Sequence, residues 1–349
     1  MSPKRYFIAV LALGLGLTGA AWALAWWLEP LYGELTRIGG YAERDYGWNE
    51  PVREFVPRLA TWDAGHDGTA DVLVIGDSFA NLRPAQQWQN WLAARTGWRI
   101  RTLDKHRVDL GELTASPAWA GHPPKVVIWN NIERDLRDEY SAGNGACALA
   151  RRAESAEPLA IRPTGAQPAA RSRPSEGINP GFARAWLWKN LLRRTLGLDY
   201  TETLRVPLVR GDLFSSRSSS ELLVFRRDLR KRSWTPADLE RIRCGYRRLA
   251  RIFEANGRTR FVTAIAPDKS SAYRPWVQDP RALPESVLPA LLERFPVPDA
   301  RLDRAISQAL SAGTRDVYLP DDTHWGTAGQ RIAAEAILEL LVREGLARR

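Results

Sequence analysis

The sequence predicts an α/β protein built on a central parallel sheet, with one apolar transmembrane-length helix at its N-terminus. Three observations carry this. Apolar runs of strand length, Asp71-Val-Leu-Val-Ile75, Lys125-Val-Val-Ile-Trp129 and Arg260–Ala266, recur along the chain; such runs read as strands buried on both faces. Helix-patterned stretches lie between them, the alternation that gives a parallel sheet with helices on its faces. Residues Tyr6–Leu28 are uncharged and mostly apolar, long enough to cross a bilayer. The chain has 349 residues, 44% hydrophobic and 26% charged, which fits an ordinary folded domain plus an anchor.

Lys4 and Arg5 precede the apolar run, Trp22, Trp26 and Trp27 cluster toward its far end, and Glu29 follows it. Basic residues before the run and an acidic one after it keep the N-terminus in the cytoplasm and export the rest, and the Trp cluster lies where an aromatic belt would sit. The expectation is a single-pass protein of the inner (cytoplasmic) membrane with its body in the periplasm. Ala23-Leu24-Ala25 also fits the small-x-small site of a cleaved signal peptide, and the body is exported in either case. Residues 1–30 are thus anchor or signal, 31–70 a polar lead-in, and 71–349 one domain with an insertion at about 141–235.

Within the domain, 71–75 is the first strand and 84–96 a helix with Trp88, Trp91 and Leu92 on one face. Trp98–Leu103 and Lys125–Trp129 are further strands. From Ser141 to about Pro180 Ala, Arg, Pro, Ser and Gly replace any periodicity, which reads as a long loop. Residues 181–235 are mixed and basic, with a second loop at Ser215–Ser220. Thr235-Pro236-Ala237-Asp238 starts a helix that ends near Ala255. Arg260–Ala266 is the next strand, 301–311 a helix, Val317–Leu319 a short strand, and Gly326 opens the last helix.

The net charge is +10, and only six of the 50 basic residues are Lys, a skew that composition bias explains as readily as an acidic partner does. Zinc-finger spacing, a helix-turn-helix pattern and a basic–aromatic tract are all lacking, so nucleic acid is not an expected partner. Fifteen Trp suit a core, a carbohydrate surface or a membrane interface. Cys147 and Cys244 are too few for a metal site; they pair in an oxidising compartment or stay as two buried thiols.

A serine hydroxyl needs a base, and the base needs an orienting carboxylate. Parallel sheets gather such groups at the C-terminal ends of their strands. Gly76-Asp77-Ser78-Phe79 directly follows a buried strand, and Asp321-Asp322-Thr323-His324-Trp325 lies between a short strand and a helix. Ser78 is the candidate nucleophile and His324, one of four His, the base. Asp322 is the candidate acid, with Asp321 as the alternative.

These blocks resemble those of SGNH (GDSL-like) hydrolases, in the same order along the chain. Asp322-Thr323-His324-Trp325 is similar to the Asp-x-His-Trp signature of the alginate O-acetyltransferase-like branch. Pro267-Asp268-Lys269-Ser-Ser-Ala-Tyr273 resembles its Pro-x-Lys-x-x-x-Tyr segment, and Ile132-Glu133-Arg134-Asp135-Leu136 its Glu-Arg stretch. The family's Gly-x-Asn-Asp block is missing, and Glu133-Arg134 stands in its place. Arg134 is therefore either an oxyanion donor or a structural ion pair, and Gly111 is a second oxyanion candidate. Lys269 and Tyr273 either bind an acyl donor or sugar or form a strand-end turn with a solvated Lys. Trp325 binds or packs.

The resemblance implies a three-layer fold and a serine O-acetyltransferase acting on an exported polysaccharide through an acetyl-Ser78 intermediate. It implies no metal or diffusible cofactor, and a membrane-bound O-acyltransferase as acetyl donor. A carbohydrate esterase with the same triad, and a non-catalytic polysaccharide-binding module of an export complex, are the alternatives.

Overall fold

The computed structural model describes residues 2–28, 33–63, 65–140, 158–172, 180–198 and 200–348. Glu29, Cys147 and much of the 141–180 loop lie outside these residues, as do the side chains of Trp26 and Trp27.

The chain opens with α1 (Pro3–Leu28), α2 (Glu34–Gly39), α3 (Glu43–Tyr46), β1 (Val52–Glu54) and β2 (Thr61–Trp62). Next come β3 (Val72–Gly76), α4 (Ser78–Asn81), α5 (Trp88–Thr96), β4 (Ile100–Asp104), α6 (Leu110–Ala115), α7 (Pro117–Gly121), β5 (Val126–Ile132) and α8 (Leu136–Tyr140). The middle region holds β6 (Leu159–Ala160), β7 (Ala169–Arg171), α9 (Pro180–Leu196), β8 (Thr203–Pro207) and β9 (Glu221–Phe225). The last part comprises α10 (Pro236–Glu254), β10 (Arg260–Ala266), α11 (Lys269–Tyr273), α12 (Leu288–Glu293), α13 (Leu302–Ser311), α14 (Thr327–Arg343) and β11 (Ala347–Arg348).

Within α1, Pro3–Ala23 is long and apolar enough to cross a membrane, and none of its most apolar window is buried against the protein. The remainder is mixed α/β around a five-stranded sheet in the order β10-β5-β3-β4-β2. All its pairings are parallel. Every residue of β3, β5 and β10 is buried, which is why apolar residues dominate these strands, although Asn130, Asn131, Arg260 and Thr263 are buried among them. Alternation divides their side chains between two apolar clusters. Val72, Val74, Ile128 and Val262 pack with Leu92, Ile306 and Ile337 of α5, α13 and α14. Leu73, Ile75, Val127 and Phe261 pack with Tyr246, Phe253 and Leu291 of α10 and α12.

The predicted helix start at Thr235 is a full capping box, with Thr235 and Asp238 bonding each other's backbone N–H and Pro236 in the first turn. The predicted 84–96 helix is a 3-10 turn (Pro84–Gln86) followed by α5, with Trp88 and Leu92 fully buried. Val317–Leu319 is not a strand but a single bridge, Tyr318 to Trp325, because its backbone bonds to the turn that follows it, Leu319 N–H donating to the His324 carbonyl and Val317 O accepting from Gly326 N–H, each at 3.0 Å. The lead-in belongs to the body: β2 pairs with β4 at the sheet edge, and Leu35, Tyr41 and Tyr46 pack on Leu223 of the β8–β9 hairpin. That hairpin and α9 give the basic 181–235 region a regular structure which its lack of apolar periodicity concealed. Cys244, on α10, is disulfide-bonded.

Candidate active site

The chain passes from β3 to β4 on one side and then back across β3 to β5. Loops leaving a parallel sheet at such a reversal part and leave a crevice at the strand C-termini. Ser78 stands there, after Gly76, whose register partners are Asp104 of β4 and Asn130 of β5. A Cβ on Gly76 would lie 2.7 Å from that of Ala80, so the turn into α4 closes only with glycine. Asp77 holds the turn. Its Oδ1 accepts the Phe79 N–H at 2.9 Å, and its Oδ2 accepts the Ile132 N–H at 2.8 Å and a Lys105 Nζ proton at 3.2 Å. Burial opposes the Lys105 charge, but Asp77 and Glu139 outweigh it and raise its pKa. Ser78 itself is exposed while its neighbours on both sides are buried.

His324 reaches Ser78 from the loop before α14. Its Nε2 is 2.8 Å from Ser78 Oγ, and its Nδ1 is 2.7 Å from Asp322 Oδ1. With the ring proton on Nδ1, the imidazole donates to Asp322 and accepts from the serine hydroxyl, the arrangement of a Ser-His-Asp triad. Phe79 lies against the imidazole, with centroids 4.8 Å apart, and Trp325 meets Phe79 edge-on. Burial opposes the Asp322 charge, yet His324 and the Arg83 guanidinium hold this carboxyl far below the usual carboxylate range. Arg83 Nη2 lies 3.0 Å from Asp322 Oδ2.

Asp321 points elsewhere. It is fully buried beside Glu43, and burial followed by that second carboxyl push its pKa well up. Its backbone oxygen accepts the Leu35 N–H at 2.9 Å. The choice between the two acids is therefore Asp322.

Of the other predicted binding residues, Lys269, Tyr273, Trp325 and Arg134 have buried side chains and Gly111 is exposed. Lys269 is neither solvated nor open to a ligand. It is fully buried and donates to the carbonyls of Leu319, Pro320 and Asp322 at 2.8, 2.9 and 3.0 Å. Burial lowers its pKa to about 7, against the pull of Asp321 and Asp322. It pins the loop that carries His324. Tyr273 is a core residue whose hydroxyl accepts the Tyr318 N–H at 3.4 Å. Trp325 is 2% exposed and packs. Arg134 is the structural ion pair: its Nη1 lies 3.2 Å from Asp268 and 3.5 Å from Asp228. Gly111 lies in the first turn of α6, its N–H taken by Asp109 at 2.7 Å.

Two residues at the site escaped the sequence reading. Glu34, at the start of α2, accepts the Thr323 hydroxyl proton at 2.7 Å, lies 3.8 Å from His324 Nδ1, and has its own N–H 3.5 Å from Asp322 Oδ2. Gly33 permits this approach, since a Cβ there would sit 2.2 Å from the Asp321 oxygen. Arg83 carries a positive φ of 55° before Pro84. Neither had a signal in the sequence, because Glu34 and Asp322 are 288 positions apart.

Glu34, Asp322 and His324 also bring three ligand-type atoms within 4.8 Å of one another, but both imidazole nitrogens already face hydrogen-bond partners. Beside α4, Trp62, Asn81, Asp104 and Arg107 line a cleft of about 560 Å³. No protein-family profile, curated protein or solved structure matches this chain.

Proposed function

We propose that this chain is a serine O-acetyltransferase of SGNH-like, three-layer fold, acting on an extracytoplasmic polysaccharide through an acetyl-Ser78 intermediate. One observation carries the reading: a solvent-exposed serine hydroxyl 2.8 Å from His324 Nε2, with Nδ1 2.7 Å from the buried Asp322. The apolar clusters on the two faces of the parallel sheet support the fold assignment.

In this mechanism Ser78 Oγ attacks the donor's ester carbonyl and His324 Nε2 takes its proton. The leaving alcohol departs with that proton, and acetyl-Ser78 remains. A sugar hydroxyl then gives its proton to His324 and attacks the acetyl carbonyl, and Ser78 recovers the proton. Asp322 keeps the imidazole in the required tautomer and stabilises it when charged. The chemistry needs no metal or diffusible cofactor. The cleft bounded by Trp62 and Arg107 is the place for the sugar chain, since flat aromatic faces and charged rims suit carbohydrate. In the same reading α1 anchors the chain in the inner membrane, the body stands in the periplasm, and a membrane-bound O-acyltransferase supplies the acetyl group.

The exposure of Ser78 favours a second outcome, hydrolysis, whenever no acceptor excludes water from the acetyl-enzyme. The test is turnover of a chromogenic acetyl ester by the full chain, with and without an oligosaccharide acceptor. Ser78→Ala and His324→Ala are each expected to abolish turnover, and acetylated oligosaccharide is expected with the acceptor present. Free acetate alone would choose the esterase. Turnover that survives Ser78→Ala would overturn the mechanism.

A further inference from the structure

Between Leu187 and Arg193, α9 is amphipathic in an inverted sense. Three polar side chains face the protein: Lys189 Nζ donates to the carbonyls of Arg37 and Ile38 at 3.3 and 2.6 Å, Asn190 to that of Gly40 at 2.9 Å, and Arg193 to that of Gly39 at 2.8 Å. Three apolar side chains face out, with Leu187 54%, Trp188 62% and Leu191 48% exposed. At 100° per residue the outward three fall within one sector and the inward three within the opposite one. An exposed contiguous apolar face of this kind marks an interaction surface. The occupant is indicated by the neighbour, since α1, the membrane-length apolar helix, meets α9 with Cα atoms within 8 Å.

We propose that α9 lies in the bilayer interface, its Leu187–Trp188–Leu191 face among the lipid chains and its polar face gripping the end of α2. Leu and Trp are the side chains that interfacial helices bury at this depth. The proposal rests on reading α1 as a membrane span. It has a consequence for the site. The six-residue α2 is about 9 Å long, and it joins the docked helix at Gly39 to Glu34 beside His324. Docking of α9 therefore fixes the height and tilt of Ser78 over the membrane, where a lipid-borne or membrane-enzyme-borne acyl group arrives.

The test uses the full chain in phosphatidylcholine vesicles, with a nitroxide attached at Leu191→Cys, at Leu13→Cys in α1, and at Glu285→Cys, an 81% exposed position on the body. Collisions with oxygen report lipid and collisions with a nickel chelate report water. Labels at positions 13 and 191 are expected to favour oxygen several-fold over the label at position 285. A label at 191 as wet as that at 285, with 13 in lipid, would overturn the docking and leave the anchor standing. A label at 191 shielded from both reagents would overturn it in favour of a protein surface. A wet label at 13 would remove the anchor and the docking together. None of these outcomes depends on acetyl transfer, so the proposed activity stands or falls separately.

Discussion

At the C-terminal edge of the sheet, the Ser78–His324–Asp322 group opens to solvent, while a second polar group at the ends of β5 and β10 is shut. In the second, Lys231 Nζ meets Glu133 at 3.1 Å and also Asp268, and Arg134 spans Asp228 and Asp268. The side chains of Lys231, Glu133, Asp228 and Asp268 are wholly inaccessible. Burial, then Asp228, pushes Asp268 up to about 8, although Arg134 and Lys231 donate to its two oxygens. Both groups hold acids and bases in hydrogen-bonding reach. Only the first presents a reactive atom to solvent. Perturbed titration marks functional sites only when a substrate has access; otherwise the same chemistry joins loops, as the closed group does for those after β5 and β10.

The contrast breaks most sharply with Ser78→Ala. Ester turnover is expected to fall at least about a thousand-fold, while urea unfolding moves by no more than about 0.5 kcal/mol because the side chain is exposed. A large loss of stability would place Ser78 with the structural cluster. Lys231→Met should do the reverse. Removing one partner of a buried ion pair costs about 3–5 kcal/mol, whereas kcat of the fraction that stays folded should change little. A selective loss of kcat at full stability would make the closed cluster catalytic.

Lys269→Met should fall between these. Its three carbonyl partners lose their donors, a cost of about 2–3 kcal/mol, and the loosened His324 loop lowers kcat. Denaturant unfolding and turnover on one preparation test this, and an effect on KM alone would restore a ligand-binding role.

The smallest effect is one of pH. A carboxyl whose folded pKa is raised stabilises the fold at low pH and loses that contribution as pH rises through the folded value. Asp299 and Asp316, raised mainly by burial, complete this near 6; Lys269, lowered by burial to about 7, acts with the opposite sign above that pH. Between about pH 6 and 7 Asp268 therefore adds to a falling stability, at most about 1.4 kcal/mol per pH unit, alongside the buried Asp321 and Asp228, whose carboxyls burial also pushes up. Asp268→Asn should flatten that interval. An unchanged slope in thermal unfolding would remove Asp268 from the titration.

Much of the frame was legible because its causes are local. Val72–Ile75 is apolar at successive positions and Arg260–Ala266 nearly so, with Arg260 and Thr263 as exceptions, as burial on both faces favours, and Thr235-Pro236-Ala237-Asp238 contains its own cap. Ser78 and His324 stood out because each follows a strand or near-strand and precedes a helix. The 181–235 region was opaque for the opposite reason: between Leu187 and Arg193, α9 turns its polar side inward and its apolar side outward. The Lys269 and Arg134 motifs were visible as motifs but not as interior features, since an ionisable side chain does not announce its own burial.

By itself the sequence determined four of the five strands of the central sheet (β3, β4, β5 and β10), the order of the Ser and His blocks, and an N-terminal helix with the length and hydropathy of a membrane span. Each of these follows from neighbouring residues acting through backbone geometry and apolar periodicity. The tertiary structure alone decided that Asp322 rather than Asp321 orients His324, that Arg83 and Glu34 join them, and that Lys269 braces the loop from beneath. Those choices depend on contacts such as Arg83–Asp322, 239 positions apart, and on which side chains the packed neighbours leave facing water.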